Sequence, residues 1–300
     1  MRIVHISDLH FWHITLHPRE LVSKRLLGMC NLVLSRARKY RMSSMPLVVE
    51  RIRALEPDHV LVTGDLTSTA LEEEFEAARR ALERLEPDAS RLTVIPGNHD
   101  RYTRESARRR LFEAYFGEFA PARDYPWVKP CGEETLILAL DPTHPNPISA
   151  LGTISTSQLE RAAALLDCRR RPERLLVACH YPIALPVGIV ETRGHGLRGI
   201  KDLQRFVSRY GPNIYCHGHI HASWAFTPQF LPETLCLNPG AALKLRRRSR
   251  VSASLLEIVL EGADVAVRHH RLRDSVWEAE TLASAPGFFG SPEEVRFGTL

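Results

Sequence analysis

Five short polar segments carry the residue types that hold metal ions. Asp8-Leu9-His10, Gly64-Asp65, Gly97-Asn98-His99-Asp100, His180 and Gly218-His219-Ile220-His221 occur in that order, each soon after an apolar run. In open α/β sheets the carboxyl ends of strands converge on one crevice, so donors distant in sequence can meet there. Carboxylate, amide and imidazole donors without cysteine suit Mn, Fe or Zn and argue against a soft, thiolate-rich site. Taken singly, the fragments have ordinary explanations, because a strand-end Asp commonly caps a helix and Gly-Asp commonly makes a turn. Their joint order carries the information.

The runs that must position these residues read as short buried strands at 2–6, 59–63, 92–95, 135–140, 175–178, 214–216, 234–237, 252–260 and 264–271. Helical patterns fall at 46–55, 70–85, 104–116, 157–168 and 200–210, with Thr69 and Ser157 as N-cap candidates. Strands alternating with helices, followed by a strand-rich final third, indicate an α/β layered fold in a single domain over 1–272. An amphipathic helix at about 19–40 is an insertion, with a stripe of Val22, Leu26, Met29, Val33, Ala37 and Tyr40 widened by Leu27, Cys30 and Leu34. The tail 273–300 carries Trp277, Phe288, Phe289 and Phe297 among Pro, Gly and acids, and no role is legible for it.

The combined pattern D-x-H, G-D, G-N-H-D, H and G-H-x-H resembles that of the calcineurin-like metallophosphoesterases, from Asp8 to His221. In motif order and size the chain resembles the bacterial branch that includes class III cyclic-nucleotide phosphodiesterases. The resemblance implies two packed mixed β-sheets flanked by helices, a four-layer sandwich with two divalent metal ions at the sheet edge. By position, Asp8, His10 and His221 would bind one metal. Asn98, His180 and His219 would bind the other, and Asp65 would bridge both. Two ions less two carboxylates leave a centre of about +2, which attracts a phosphate ester and helps a bridging water ionise. The implied reaction is hydrolysis of a phosphodiester by in-line attack of a metal-bridging hydroxide. His99 would face the leaving group, while Asp100 either orients His99 or caps the next helix.

Around this centre the sequence is less specific. Arg193, His195 and Arg198 lie in a glycine-rich loop and either reach a phosphate or sit in solvent. His144 reads as a loop-packing residue, His217 as a structural one, and Arg246, Arg247, Arg248 and Arg250 as a solvated turn. The insertion could pack on its own sheet, form a dimer contact, or lie on a membrane surface, where the substrate would be a phospholipid or nucleotide-lipid ester. A non-catalytic scaffold on the same fold is a further alternative, although every motif position is filled. Net charge is +5, and 35 of the 40 basic residues are arginine. That favours anionic partners, but with no basic stripe interleaved with aromatics it argues against nucleic acid. Six scattered cysteines, the lack of a leader and the lack of a long apolar run point to the cytoplasm, at most peripheral to the inner membrane face.

Overall fold

The computed structural model describes residues 1–21, 24–86, 88–262, 264–285 and 296–297. In chain order the strands are β1 (Arg2–Ile6), β2 (His59–Val62), β3 (Leu92–Val94), β4 (Trp127–Cys131), β5 (Thr135–Leu140), β6 (Gly152–Thr153), β7 (Arg174–Cys179) and β8 (Leu197–Arg198). They continue with β9 (Ile214–Cys216), β10 (Ser223–Phe226), β11 (Leu235–Pro239), β12 (Val251–Glu261), β13 (Asp264–Arg273), β14 (Val276–Ala285) and β15 (Arg296–Phe297). One sheet has the order β14-β13-β12-β1-β2-β3, the other β15-β10-β11-β9-β7-β5-β4, and β6 pairs with β8 apart from both. Within the first sheet β1, β2 and β3 are parallel, and β12 joins β1 antiparallel. In the second, β5, β7, β9 and β11 are parallel.

Branched apolar runs suit strands buried on both faces, and the pleat sends alternate residues to opposite sides. Ile3 therefore joins Leu61, Ile258, Ile137, Leu176 and Leu237 in a core between the sheets. Its neighbour Val4 joins the outer core, with Val48 and Ile52 from the helix Met45–Ala54 and Phe75 from Glu72–Glu83. On the far side, Val177 and Tyr215 pack against Leu159 of the helix Thr156–Asp167 and Leu203 of Ile200–Tyr210. The result is a helix–sheet–sheet–helix sandwich with two mixed sheets, as the resemblance implies.

Several local expectations change. Ser155, not Ser157, caps the helix Thr156–Asp167, its Oγ accepting from Gln158 N at 3.2 Å. Thr69 is no cap either. The buried Glu74 carboxylate accepts N–H bonds from Ser68, Thr69 and Leu71, and the helix starts at Glu72. The pattern at 104–116 breaks into two helices at Arg110, which adopts a left-handed φ of 52°. Strand β4 escapes the periodicity because Pro130 interrupts it, and a proline is tolerated there because β4 is an edge strand. Beyond Arg273, β14 adds an edge to the first sheet, and β15 pairs with β10. Phe288 and Phe289 lie outside the described residues.

Among its described residues the insertion is helical without a break over 25–39, with a π-helical stretch inside. It comprises Pro18–Leu21, Arg25–Asn31, a π-helical stretch Leu32–Arg36 and Ala37–Lys39. Its buried face is Arg25, Gly28, Met29 and Leu32, rotated from the expected stripe, so Leu26, Leu27, Val33 and Leu34 are exposed. Val22 lies outside the described residues. The phase differs because a charged residue points inward: the Arg25 guanidinium donates to the carbonyls of Thr69 and Ala70 and pairs with Glu20.

Burial also sets a pH response. His59 is 2% exposed with Nε2 2.9 Å from Thr93 Oγ1, and burial, with Lys129 and Arg91 nearby, pushes its pKa down to about 3. The unfolded chain takes up a proton near pH 6.5 that the folded chain refuses, so stability is present above that pH and is lost as pH falls. Urea titrations of wild type and His59→Gln should diverge by about 1.4 kcal/mol per pH unit between about pH 5.5 and 4, wild type being the steeper. Parallel slopes would contradict the assignment.

Candidate metal centre

The five polar segments meet at one edge of the sandwich, where the loops after β1, β2, β3, β7 and β9 converge. Their local backbone is unusual. Asp8, His10, Asp65 and His219 all have positive φ, between 49° and 68°. Such conformations disfavour residues with a Cβ by roughly 1–3 kcal/mol and persist where surroundings over-determine them, as functional sites do. Two glycines clear space for the carboxylates: a Cβ at Gly97 would overlap Asp65 Oδ1, and one at Gly218 would come within 2.5 Å of Asp8 Oδ2.

Two clusters of donors result. In the first, ligand atoms of Asp8, His10, Asp65 and His221 lie within 4.8 Å of one another. His221 Nε2 is 3.2 Å from Asp8 Oδ1 and 3.1 Å from His10 Nε2, which is 3.7 Å from Asp65 Oδ2. In the second, Asn98 Oδ1 lies 3.0 Å from His219 Nδ1 and 3.2 Å from His180 Nε2, and His180 Nε2 lies 3.5 Å from Asp65 Oδ1. Asp65 thus turns one oxygen to each cluster. Its own burial would raise its pKa, but the His180, His99 and His10 rings hold it well below the ordinary carboxylate range. Burial lowers His180, yet Asp65 and Asp8 outweigh it and push the imidazole up to about 9. Asp8 Oδ1 is buried and makes no hydrogen bond among the described residues, an arrangement that fits a cation rather than a donor.

A calcineurin-like phosphoesterase family profile matches residues 1–223. The chain belongs to the calcineurin-like phosphoesterase family. No curated protein matches its sequence. Among solved structures, it is similar to the purple acid phosphatase PPD1 from yellow lupin (Lupinus luteus) seeds, with a TM-score of 0.56 and 15% identity. That alignment covers 93% of this chain and 53% of the lupin protein, so the chain spans about half of the phosphatase's length. It is also similar to GAP50 of Plasmodium, the anchor in the inner membrane complex, with a TM-score of 0.53 and 8% identity over 96% of this chain and 90% of that one. Vps29 from Entamoeba histolytica aligns at 13% identity and a TM-score of 0.46 over 95% of this chain and 100% of that one.

Every imidazole that this calcineurin-like chain turns toward the clusters is held at its other nitrogen. His180 Nδ1 donates to Thr63 O at 2.7 Å, and His219 Nε2 to His195 O at 2.8 Å. His10 Nδ1 faces Thr67 O at 3.3 Å, and His221 Nδ1 is 2.8 Å from Tyr40 Oη. Such outer contacts set the tautomer and leave a lone pair facing inward. Tyr40, which by sequence belongs to the apolar stripe, instead turns its hydroxyl to a residue of the first cluster. It is 4% exposed, and its ring lies edge-on to His10 at 4.7 Å. Tyr40→Phe should weaken divalent-metal binding about 10–100-fold with little change in apo stability. Competition with a fluorescent chelator checks this, and unchanged affinity would deny Tyr40 the role.

His99 lies beside both clusters. Its N–H donates to Asp65 Oδ1 at 2.8 Å, its Nδ1 to Ser68 O at 2.6 Å, and its ring stacks on Tyr102 with centroids 5.3 Å apart. Asp100 caps no helix among the described residues. Its oxygens accept from Gly97 N, Leu66 N, Thr67 N and Thr67 Oγ1, tying the 65–67 loop to the 97–100 loop. The next helix, Arg104–Arg108, is capped by Thr103. Of the glycine-rich loop, His195 reaches the centre through its carbonyl, whereas the Arg193 and Arg198 side chains are exposed. His144 packs within its own loop against Pro142 O and Asn146, and His217 is buried against Trp224. The arginine run is not uniform: Arg247, Arg248 and Arg250 are exposed, but Arg246 turns inward to His221 O at 3.3 Å.

Proposed function

We propose that the chain is a dinuclear-metal-dependent phosphohydrolase acting on phosphodiesters. The observation that carries this reading is the Asp65 carboxylate, with one oxygen 3.7 Å from His10 Nε2 and the other 3.5 Å from His180 Nε2. Asp8, His10 and His221 would hold one ion, Asn98, His180 and His219 the other, and Asp65 both. Oxygen and imidazole donors of this kind suit Mn, Fe or Zn. The ions would act as Lewis acids on a water and a phosphoryl oxygen. The chain does the positioning: the outer contacts of the four imidazoles fix their inward lone pairs, Asp100 holds two ligand loops together, and His99 offers Nε2 to the leaving-group oxygen. An intact set of donors together with His99 favours an enzyme over a scaffold; the fold alone does not decide.

The test is hydrolysis of bis(p-nitrophenyl) phosphate and p-nitrophenyl phosphate by chelator-stripped protein reloaded with Mn²⁺, followed by cyclic nucleotides and lipid head-group esters. Metal-dependent turnover that favours the diester is expected. Monoester preference would overturn the diesterase assignment, and metal binding with no turnover of any ester would favour the scaffold.

The exposed leucines favour a second feature of this reading, contact with an anionic membrane surface. Leu16, Leu26, Leu27 and Leu34 are 50–84% exposed, and Arg38, Lys39 and Arg41 later in the same segment are exposed as well. Apolar side chains beside cations suit the boundary of acidic lipid headgroups. No helix among the described residues is long and apolar enough to cross a membrane. Wild type should float with phosphatidylglycerol vesicles and not with phosphatidylcholine, and Leu26→Ser/Leu27→Ser/Leu34→Ser should remain at the bottom. Equal behaviour of both proteins would remove the membrane contact.

A further inference from the structure

Buried cations in this protein have acidic or carbonyl partners. Arg25 pairs with Glu20, Arg101 with Glu113 and Asp141, Arg174 with Glu134 and Arg271 with Glu280, while Lys129 donates to three carbonyls. Lys244 departs from that rule, and among the described residues Arg246 has one carbonyl partner and no acid. Both are half-buried, and among the described residues neither forms an ion pair; the polar contact of the Arg246 guanidinium is the carbonyl of His221.

Their position is defined by the backbone. Ala242 N donates to Ser7 O, next to Asp8, and Lys244 pairs with Tyr40 in an isolated antiparallel bridge. Residues directly opposed across such a bridge put their side chains on the same face. Tyr40 reaches His221 on that face, so Lys244 lies on the side of the first ligand cluster, within the field of Asp8. Lys39, whose carbonyl accepts from Leu245 N at 2.7 Å, adds a third positive charge to the same edge. Burial and the neighbouring cations pull the Lys244 ammonium below its ordinary range. Burial does the same to Arg246, with Arg271 acting in the same direction. Positive charge without an ion-pair partner, half out of water and beside a centre for anionic esters, is stabilised by an oxyanion.

We propose that Lys244 and Arg246, with Lys39 at their edge, form an oxyanion subsite beside the first ligand cluster, which takes a second phosphate carried on the same substrate. The inference deepens the phosphohydrolase reading and rests on it. The substrate class becomes a phosphoester with another phosphate a short arm away from the scissile one, rather than a simple diester.

A matched pair of chromogenic esters tests this: p-nitrophenyl thymidylate with and without a further phosphate on its free sugar hydroxyl. Wild type loaded with Mn²⁺ should prefer the phosphorylated ester at least about tenfold in kcat/KM, chiefly through KM. In Lys244→Met and Arg246→Gln that ratio should fall toward one, and because both esters share a leaving group, general damage to the centre cancels. No preference in wild type, or a preference kept by both variants, overturns the subsite. If neither ester turns over, the phosphohydrolase reading fails. The subsite is then judged from phosphorus NMR line broadening of inorganic phosphate with the full chain, which wild type should show and the variants should lose. Equal broadening overturns it.

Discussion

If the proposed dinuclear diesterase reading holds, Asp65→Asn should lower metal-dependent diester hydrolysis by at least about a thousandfold and leave the protein with fewer bound ions than wild type. The side chain keeps its size, and an oxygen can still accept from His99 N, now 2.8 Å from Oδ1. Its second oxygen becomes an NH₂ group, however, which cannot ligate a cation. Both clusters lose the negative charge, and whichever way the amide turns one of them also loses its donor atom. The charge change matters as much, because Asp65 is what pushes His180 up and is itself held down by three surrounding rings. An asparagine removes the counter-charge that makes a paired-cation site affordable, and losing one electrostatic contact to a transition state alone typically removes about 10²–10³ in rate. Elemental analysis of the purified variant, next to rates at saturating Mn²⁺, checks both parts. Two retained ions with near-normal turnover would sink the bridging role.

How far such a site can be read from sequence follows from what kind of interaction places each residue. The apolar runs of β1, β2, β7 and β9 are dense and short, so their strand identity is local information, and the residues that follow them inherit positions at the sheet edge. The polar segments that follow these strands are legible in order, the family resemblance picks out Asp8, His10, Asp65, Asn98, His180, His219 and His221 among them, and these residues come together in two clusters. Tyr40 and Lys244 are not legible in this way. They meet through one isolated bridge between an insertion and a loop 204 positions apart in the chain, a tertiary contact with no periodic signal. The insertion also misled because Arg25 is buried. The face that packs carries Arg25, so the apolar stripe does not mark it, and Leu26 and Leu34 are exposed. Asp100 shows the same limit from another side. Its residue type fits a cap or a catalytic partner equally well, and only the four donors around it show that it braces two loops.

His99→Ala should divide its effect according to the leaving group. Because Nδ1 donates to Ser68 O at 2.6 Å, the proton that can move is on Nε2, the nitrogen turned away from that carbonyl. An alkoxide leaving from phosphorus needs that proton, and loss of a positioned acid typically removes about 10²–10⁴ in rate. p-Nitrophenolate leaves without protonation, so its release should fall by less than about tenfold in the same variant. The backbone N–H that braces Asp65 is unaffected by the substitution, and Asn98 keeps its contacts to His180 and His219, so metal content should stay at the wild-type level. A scaffold role for His99 predicts something different. Without the ring, Tyr102 loses its stacking partner and His10 an edge-on neighbour at 4.9 Å, and both esters would slow together as metal is lost. Measuring an alkyl and a p-nitrophenyl ester of one nucleotide, with metal content determined on the same preparation, separates the two: a divergence of at least tenfold at constant metal assigns His99 to the leaving group, and parallel losses with falling metal assign it to the frame of the site.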